Sequence, residues 1–192
     1  MLRPELLLID GENLVFRYQC MLKEGRTPLP TVIHEPDVFV WSSAVIGSEI
    51  GDIRRVAYYT SVVGDDEKVL ATIRRLRQQQ YQCADGRLAR TSNLVPIVYK
   101  KAKKEQKSRA VDINITVDAL RAVTNGSAGM VRIFSGDADF VPVVEELMRL
   151  GATVAISALS SGLSPKLETC ADSFALLDAK FFQPMPDSQP PQ

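Results

Sequence analysis

The chain has 192 residues, of which 45% are hydrophobic, and its 23 acidic and 23 basic residues give a formal net charge of zero. These values are typical of one globular domain with an ordinary hydrophobic core. The first apolar run, Leu6 to Ile9, is far shorter than a signal-peptide core or the roughly 20 residues of a membrane span. We therefore expect a cytoplasmic protein that has no membrane partner.

Cysteine and histidine usage narrows the possible chemistry. The three cysteines are widely spaced and include no CxxC pair, which argues against both a disulfide framework and a zinc site. His34 is the single histidine and lies in the proline-bracketed stretch PLPTVIHEP, so the sequence gives almost no basis for a histidine pair or a Ser-His-Asp triad. Any catalysis should therefore depend on carboxylates.

Apolar strand-like segments alternate along the chain with segments of helical periodicity. Short runs rich in β-branched residues predict five strands, at 6–9, 56–62, 95–100, 131–134 and 153–157. Helical spacing predicts five helices, at 12–23, 34–50, 65–81, 111–123 and 140–150. Asp65 and Asp66 fit the N-cap and first turn of the helix at 65–81.

This alternation predicts an α/β fold, a three-layer α/β/α sandwich around a mostly parallel sheet. We expect one domain over residues 1–182 and a disordered, proline-rich tail over 183–192. The apolar stretch VFVWSSAVI at 38–46 has two interpretations, internal packing and the surface of a homodimer. Internal packing is the favoured one.

Basic residues are concentrated in one part of the chain. Residues 71–109 contain eleven lysines and arginines against Asp85 and Glu105, a local charge of +9 that the rest of the chain balances. A solvated helix face and a charged loop would explain any single cation. The dense run KKAKKEQKSR at 100–109 instead favours contact with a polyanion through its phosphates.

Acidic residues fall where predicted strands end or helices begin. Asp10 closes the first strand, Asp137 and Asp139 follow the strand at 131–134, and Asp112 begins the helix after the lysine run. Ligands of open parallel sheets bind outside the carboxyl ends of the strands. Carboxylates gathered there would repel one another unless a cation such as Mg²⁺ or Mn²⁺ lay among them. This pattern predicts a divalent metal site.

Each of these carboxylates also has a purely structural interpretation. Asp139 and Asp112 could cap their helices, Asp137 could be a turn residue in SGDAD, and Asp10 could belong to a turn in IDGEN. For each residue taken alone, that role is the better supported one. The metal site is favoured only because several separated segments place acids at the same edge. Asp118, about 240° around the helix from Asp112, is interpreted as structural or as a residue that supports the site from behind its ligands.

The segments LLLIDGEN, KSRAVDINITVDAL, VRIFSGDADFVPVVEELMRLGATVAIS and LSPKLETCADSFALLD occur in this order. Together they resemble an NYN domain of the LabA-like group in the PIN-like nuclease superfamily, over about Glu5 to Asp178. The resemblance implies an acidic pocket that binds Mg²⁺ or Mn²⁺ and cleaves RNA. Its acidic set corresponds to Asp10, Asp112, Asp137 and Asp139, with Asn13 as a supporting polar residue.

The resulting hypothesis is metal-assisted hydrolysis of RNA. Asp10, Asp112 and Asp137 are the predicted metal ligands, and Asp139 is expected to bind the metal through water or to orient the attacking water. The predicted contacts to substrate phosphates are Asn13, Lys103, Lys104 and Lys107. Arg74, Arg75 and Arg77 would extend this surface, and Tyr81 would either stack on a base or pack internally.

Two other classes of protein fit parts of the pattern. A phosphatase of the haloacid dehalogenase type also has a strand-end aspartate, but it needs a second aspartate two residues later, where this chain has Glu12. A non-catalytic RNA-binding or regulatory module with a metal-binding acidic pocket is the stronger alternative. RNA that is retained intact in the presence of metal would favour that module.

Overall fold

The computed structural model describes residues 3–46, 52–85, 88–103 and 108–184. Its strands, in chain order, are β1 Pro4–Asp10, β2 Ile33–Glu35, β3 Phe39–Trp41, β4 Asp52–Val63, β5 Gln80–Asp85, β6 Leu88–Asn93, β7 Val95–Lys101, β8 Met130–Phe134, β9 Thr153–Ala158 and β10 Ser173–Leu176. Its α-helices are α1 Gly11–Lys23, α2 Asp66–Leu76, α3 Arg109–Thr124, α4 Val141–Arg149, α5 Pro165–Cys170 and α6 Asp178–Phe181.

The central sheet contains six strands in the order β10-β9-β8-β1-β4-β7, and every neighbouring pair is parallel. The central strand β1 explains why its sequence is continuously apolar. Leu7 and Ile9 belong to one hydrophobic cluster, whereas Leu6 and Leu8 belong to the cluster on the opposite face. Because helices cover both faces, neither set of side chains is left in water.

The two clusters define the outer layers of the sandwich. One joins the sheet to α1, to α6 and to the β2–β3 hairpin, through residues such as Tyr18, Phe39 and Phe181. The other joins it to α3, α4 and α5, through residues such as Ile115 and Leu147. The predicted α/β/α sandwich with a parallel sheet is therefore confirmed.

The helix predicted over 34–50 is wrong. Its described part, which ends at Ile46, forms the antiparallel β2–β3 hairpin and a 3₁₀ turn at Ser43–Val45. Phe39, Val40 and Trp41 are each at most 2% exposed. Bulky and β-branched side chains in consecutive buried positions suit a strand better than a helix with one apolar stripe. The stretch 38–46 packs internally, as favoured above.

The helix predicted over 65–81 is too long. It ends at Leu76, and the residues after Gln79 form β5, which pairs with β6 in an antiparallel hairpin. Tyr81 and Cys83 of β5 are buried in the core, so tertiary packing outweighs the helical propensity of the preceding glutamines. Tyr81 is therefore a packing residue that offers no face for a nucleic-acid base. The sequence prediction also lacked β10, α5 and α6.

The first residue of the predicted tail, Gln183, is hydrogen-bonded to the domain. At the start of the predicted tail, the backbone N–H of Gln183 donates to the carbonyl of Thr27 at 2.9 Å. Residues 185–192 of that tail lie outside the described residues. Within the described part of the chain, no helix combines the length and the hydrophobicity needed to cross a bilayer.

Candidate functional site

Strand order in the sheet reverses at β1. The chain leaves β1 through α1 to reach β4 and then β7 on one side, and returns through α3 to β8 on the other side. A crevice between the carboxyl ends of β1 and β8 is the expected ligand site of such a sheet. Asp10 ends β1, and SGDAD follows β8. The strand topology thus brings Asp10 and the acidic segment SGDAD to the same crevice.

Asp10 is completely buried at this reversal point. Its Oδ1 accepts a hydrogen bond from the backbone N–H of Asn13 at 3.0 Å, which caps α1, and its Oδ2 accepts one from the Ser135 hydroxyl at 3.0 Å. A buried carboxylate is costly unless such donors surround it. Asp10 is therefore held in one orientation by groups from both sides of the crevice.

Asn13 and Gly136 form the next connection between the two segments. The Asn13 side-chain oxygen accepts a hydrogen bond from Gly136 N at 3.4 Å, and the carbonyl of Gly136 accepts one from Ser164 N at 3.0 Å. A Cβ at Gly136 would lie 3.0 Å from the carbonyl oxygen of Gly162. The loop after β9 therefore packs closely on this backbone and forms one wall of the crevice.

Asp137 and Asp139 occupy the turn that follows. Asp137 N donates to the Ser135 hydroxyl at 3.2 Å, and the Asp137 carboxylate accepts from Asp139 N at 3.1 Å. Asp137 is half-buried and Asp139 is exposed. A chain of hydrogen bonds thus connects Asp10 through Ser135 to Asp137, whereas the Asp139 carboxylate reaches solvent at the mouth.

The helix-capping interpretations of Asp139 and Asp112 are wrong. Phe140 is the N-cap of α4, and Ser108 is the N-cap of α3, so neither Asp139 nor Asp112 has that position. Asp137 caps only the short 3₁₀ turn Ala138–Phe140. Asp10 is the one aspartate of the set that caps an α-helix, and its second oxygen still faces across the crevice to Ser135.

Asp112 and the predicted phosphate contacts belong to the segment around the start of α3. Asp112 lies in the first turn of α3 and is half-buried, and Lys103 is exposed just after β7. Lys104 and Lys107 lie outside the described residues. Among the more remote cations, Arg75 forms an ion pair with Glu35 at 2.7 Å. Of the three predicted lysines, the structure thus describes Lys103 alone, which faces solvent.

Glu12 connects three elements beside the crevice. Its carboxylate accepts hydrogen bonds from the Ser61 hydroxyl at the end of β4, from Lys101 Nζ at 3.3 Å and from Ser108 N at 2.9 Å. The side chains of Glu12 and Lys101 are only 9% and 10% exposed. Because Ser108 caps α3, Glu12 fixes the start of the helix that carries Asp112. These contacts also occupy the group that a haloacid dehalogenase would need as its general acid.

Replacing Glu12 by glutamine should destabilise the protein by about 3 kcal/mol, because a nearly buried Lys101 would lose its countercharge. The midpoint of urea unfolding, followed by circular dichroism, measures this loss. Glu12→Gln combined with Lys101→Met should cost less than the two single changes added together. Unchanged midpoints, or strictly additive losses, would show that the ion pair contributes little.

The types of these side chains suit a divalent cation, but their arrangement in the structure does not. Carboxylate and amide oxygens are the ligands that Mg²⁺ and Mn²⁺ prefer. Among the residues that the structure describes, however, no three His, Cys, Asp or Glu side chains are grouped closely enough to hold a metal ion. Both oxygens of Asp10 already accept hydrogen bonds. Because each carboxylate oxygen has two lone pairs, metal binding would require the other carboxylates to move towards Asp10 rather than Asp10 itself to move.

Sequence reasoning missed Ser135 and the structural role of Glu12. Ser135 is 2% exposed and links Asp10 to Asp137. A signal for it exists, because it is the first residue after a buried strand and precedes the acidic turn. Glu12 gives a weaker signal, since its partners Ser61, Lys101 and Ser108 are distant in sequence.

Comparison with known proteins agrees with this architecture. The family model described as "NYN domain" matches residues 6–178. A crystal structure of a protein of unknown function from Vibrio parahaemolyticus superposes with a TM-score of 0.59 at 18% sequence identity, covering 95% of this chain and 97% of that one. This likeness supports the fold alone. No curated protein matches the sequence. Since the family match extends over nearly all of the described sheet, the chain belongs to the NYN domain family.

Proposed function

We propose that this protein is a metal-dependent ribonuclease of the LabA-like group, acting in the cytoplasm on phosphodiester bonds of RNA. The observation that carries the proposal is the position of Asp10. It is a buried carboxylate at the reversal point of the sheet, and it is hydrogen-bonded to Ser135, two residues before Asp137. Membership of the NYN domain family, which suggests a nuclease-like fold, supports it.

In this proposal, Asp10, Asp112 and Asp137 hold one or two Mg²⁺ or Mn²⁺ ions. A bound ion would polarise the scissile phosphate and lower the pKa of a coordinated water. Asp10 supplies a carboxylate whose direction is fixed before substrate arrives. Asp139, exposed at the mouth, would bind the metal through water or orient the attacking water. Lys103, Lys104 and Lys107 bind the flanking phosphates.

A non-catalytic RNA-binding module is the alternative. It is favoured by one observation, namely that no three potential metal-binding side chains are grouped among the described residues. In such a module the lysine segment would retain RNA, and the acidic crevice would have a structural or regulatory role. The retention would weaken as salt concentration rises, because phosphate contacts release counterions.

The two functions are separated by incubating the purified protein with a mixed-sequence, end-labelled single-stranded RNA in Mn²⁺, in Mg²⁺ and in EDTA. The ribonuclease proposal predicts fragments in at least one metal and intact RNA in EDTA. Intact RNA under all three conditions, together with salt-sensitive retention on a filter, would favour the binding module. Matched single-stranded DNA and a small chromogenic phosphate ester serve as controls for substrate class.

A further inference from the structure

A second cavity, of about 330 Å³, lies between α3 and the sheet. Its apolar floor includes Leu6 and Leu8 of β1 and Ala57 of β4, and Ala122 of α3 forms part of its wall. Leu6, Leu8 and Asp10 alternate onto the same face of β1. The cavity therefore shares a face with the acidic crevice but extends towards the amino ends of the strands. Its volume is in the range of sites for small ligands.

Three arginines line this cavity: Arg54, Arg55 and Arg121. Arg54 pairs with Asp52 at 2.6 Å and Arg121 pairs with Asp118 at 3.1 Å, but the two arginine side chains are 61% and 67% exposed. Ion pairs this exposed contribute little stability and exchange readily for another anion. Arg55 makes neither an ion pair nor a hydrogen bond with any residue in the described part of the chain. Together, the three guanidinium groups are suited to bind a phosphate group through charge-assisted hydrogen bonds.

A hydrogen-bonded pair borders the apolar floor. The Tyr59 hydroxyl donates to Asp118 Oδ2 at 2.7 Å. Burial, reinforced by the bond to Asp118, raises the pKa of Tyr59 well above its ordinary value, so the phenol stays protonated at neutral pH. The second oxygen of Asp118 faces Arg121. A ligand in this cavity thus meets an acceptor carboxylate next to apolar surface, with Asn125 and Ser127 as further polar neighbours.

These features together restrict the ligand. The apolar floor requires a body without charge, and the arginines require an anionic group. When Arg121 turns to the phosphate, Asp118 Oδ1 is left to accept from N–H or O–H donors on the body, which a fatty acid lacks and which a nucleobase or ribose provides. We propose that this cavity binds a nucleoside monophosphate unit, with its base or ribose on the floor near Asp118 and its phosphate at Arg54, Arg55 and Arg121.

Such a unit has two sources, a free mononucleotide and the 5′-phosphorylated end of an RNA strand. Binding of an RNA end rests on the proposed ribonuclease function, whereas binding of a free mononucleotide does not. Binding is therefore measured in EDTA, where no metal-dependent cleavage occurs, and the result is independent of whether the acidic crevice is catalytic.

The experiment is isothermal titration calorimetry of the full chain in EDTA with AMP, GMP, CMP and UMP, and with adenosine and guanosine. We expect saturable binding of at least one monophosphate and at least about tenfold weaker binding of its nucleoside. Arg55→Gln should weaken monophosphate binding by about tenfold. Arg149→Gln, an exposed arginine at the end of α4, is the matched control and should leave the affinity unchanged.

A 5′-phosphorylated and a 5′-hydroxyl trinucleotide, titrated in the same buffer, distinguish the two sources. Preference for the phosphorylated trinucleotide supports an RNA end, and binding of the mononucleotide alone supports a free nucleotide. Two results would overturn the proposal: the absence of monophosphate binding at millimolar concentration, or equal affinities for wild type and Arg55→Gln.

Discussion

Replacing Asp10 by asparagine is expected to lower the rate of RNA cleavage at least about 100-fold, equivalent to about 2.7 kcal/mol of transition-state stabilisation. Asparagine keeps an oxygen that can accept from Asn13 N, and the Ser135 hydroxyl can rotate to accept from the new amide. The crevice should therefore keep its shape while it loses the negative charge that a cation requires. The measurement is the single-turnover rate of RNA cleavage in Mn²⁺.

Asp65 provides a matched control for this variant. It caps α2 through the same contact, with Lys68 N donating to its carboxylate at 2.9 Å, but it lies on an exposed helix start. Asp65→Asn should keep full cleavage activity. Binding of Mn²⁺, measured by electron paramagnetic resonance, should weaken in Asp10→Asn and remain unchanged in Asp65→Asn. Equal cleavage rates for the two variants would exclude Asp10 from the reaction.

Replacing Gly11 by alanine is expected to cause the largest loss of stability, about 3 kcal/mol or more. A Cβ at this position would lie 2.6 Å from the carbonyl oxygen of Tyr59 and 2.8 Å from Cζ of Tyr58. The Tyr58 ring is fully buried, and its hydroxyl is hydrogen-bonded to both backbone groups of Val40. Neither the ring nor the strand can therefore move away without breaking other contacts.

The measurement is the midpoint of urea unfolding together with the yield of soluble protein. Gly129→Ala is the matched control, because a Cβ there would lie no closer than 3.4 Å to another atom, the flexible Arg3 side chain. This control should unfold near the wild-type midpoint. A Gly11→Ala protein with the same midpoint as Gly129→Ala would show that β1, α1 and β4 pack less tightly than the structure indicates.

The layered fold could be predicted from local sequence because burial on both faces leaves a distinctive pattern. Leu6 to Ile9 are apolar without interruption, and the alternation of such runs with amphipathic segments predicts a parallel sheet covered by helices. Hairpins were less predictable. Phe39 to Trp41 and Tyr81 to Cys83 are held as strands by core packing, and helical spacing in the sequence around them gave the opposite indication.

The candidate site was predictable to the extent that strand ends can be found. Asp10 and Asp137 follow buried strands, and the parallel topology brings those ends to one crevice. The contacts that orient them were not predictable, since Ser135 bonds to Asp10 across 125 positions of sequence and Glu12 bonds to Ser108 across 96. Such pairings depend on tertiary packing, which spacing along a single chain does not encode locally.

A metal-dependent ribonuclease site at Asp137 is tested by the rate of Mn²⁺-dependent cleavage of labelled RNA by wild type and by Asp137→Asn, with Glu67→Gln as a control at an exposed carboxylate of α2. We expect wild type and Glu67→Gln to cleave the RNA in Mn²⁺ but not in EDTA, and Asp137→Asn to cleave it at the background rate. Equal cleavage by all three proteins, or intact RNA with wild type in both Mn²⁺ and Mg²⁺, would contradict a metal-dependent ribonuclease site in the acidic crevice.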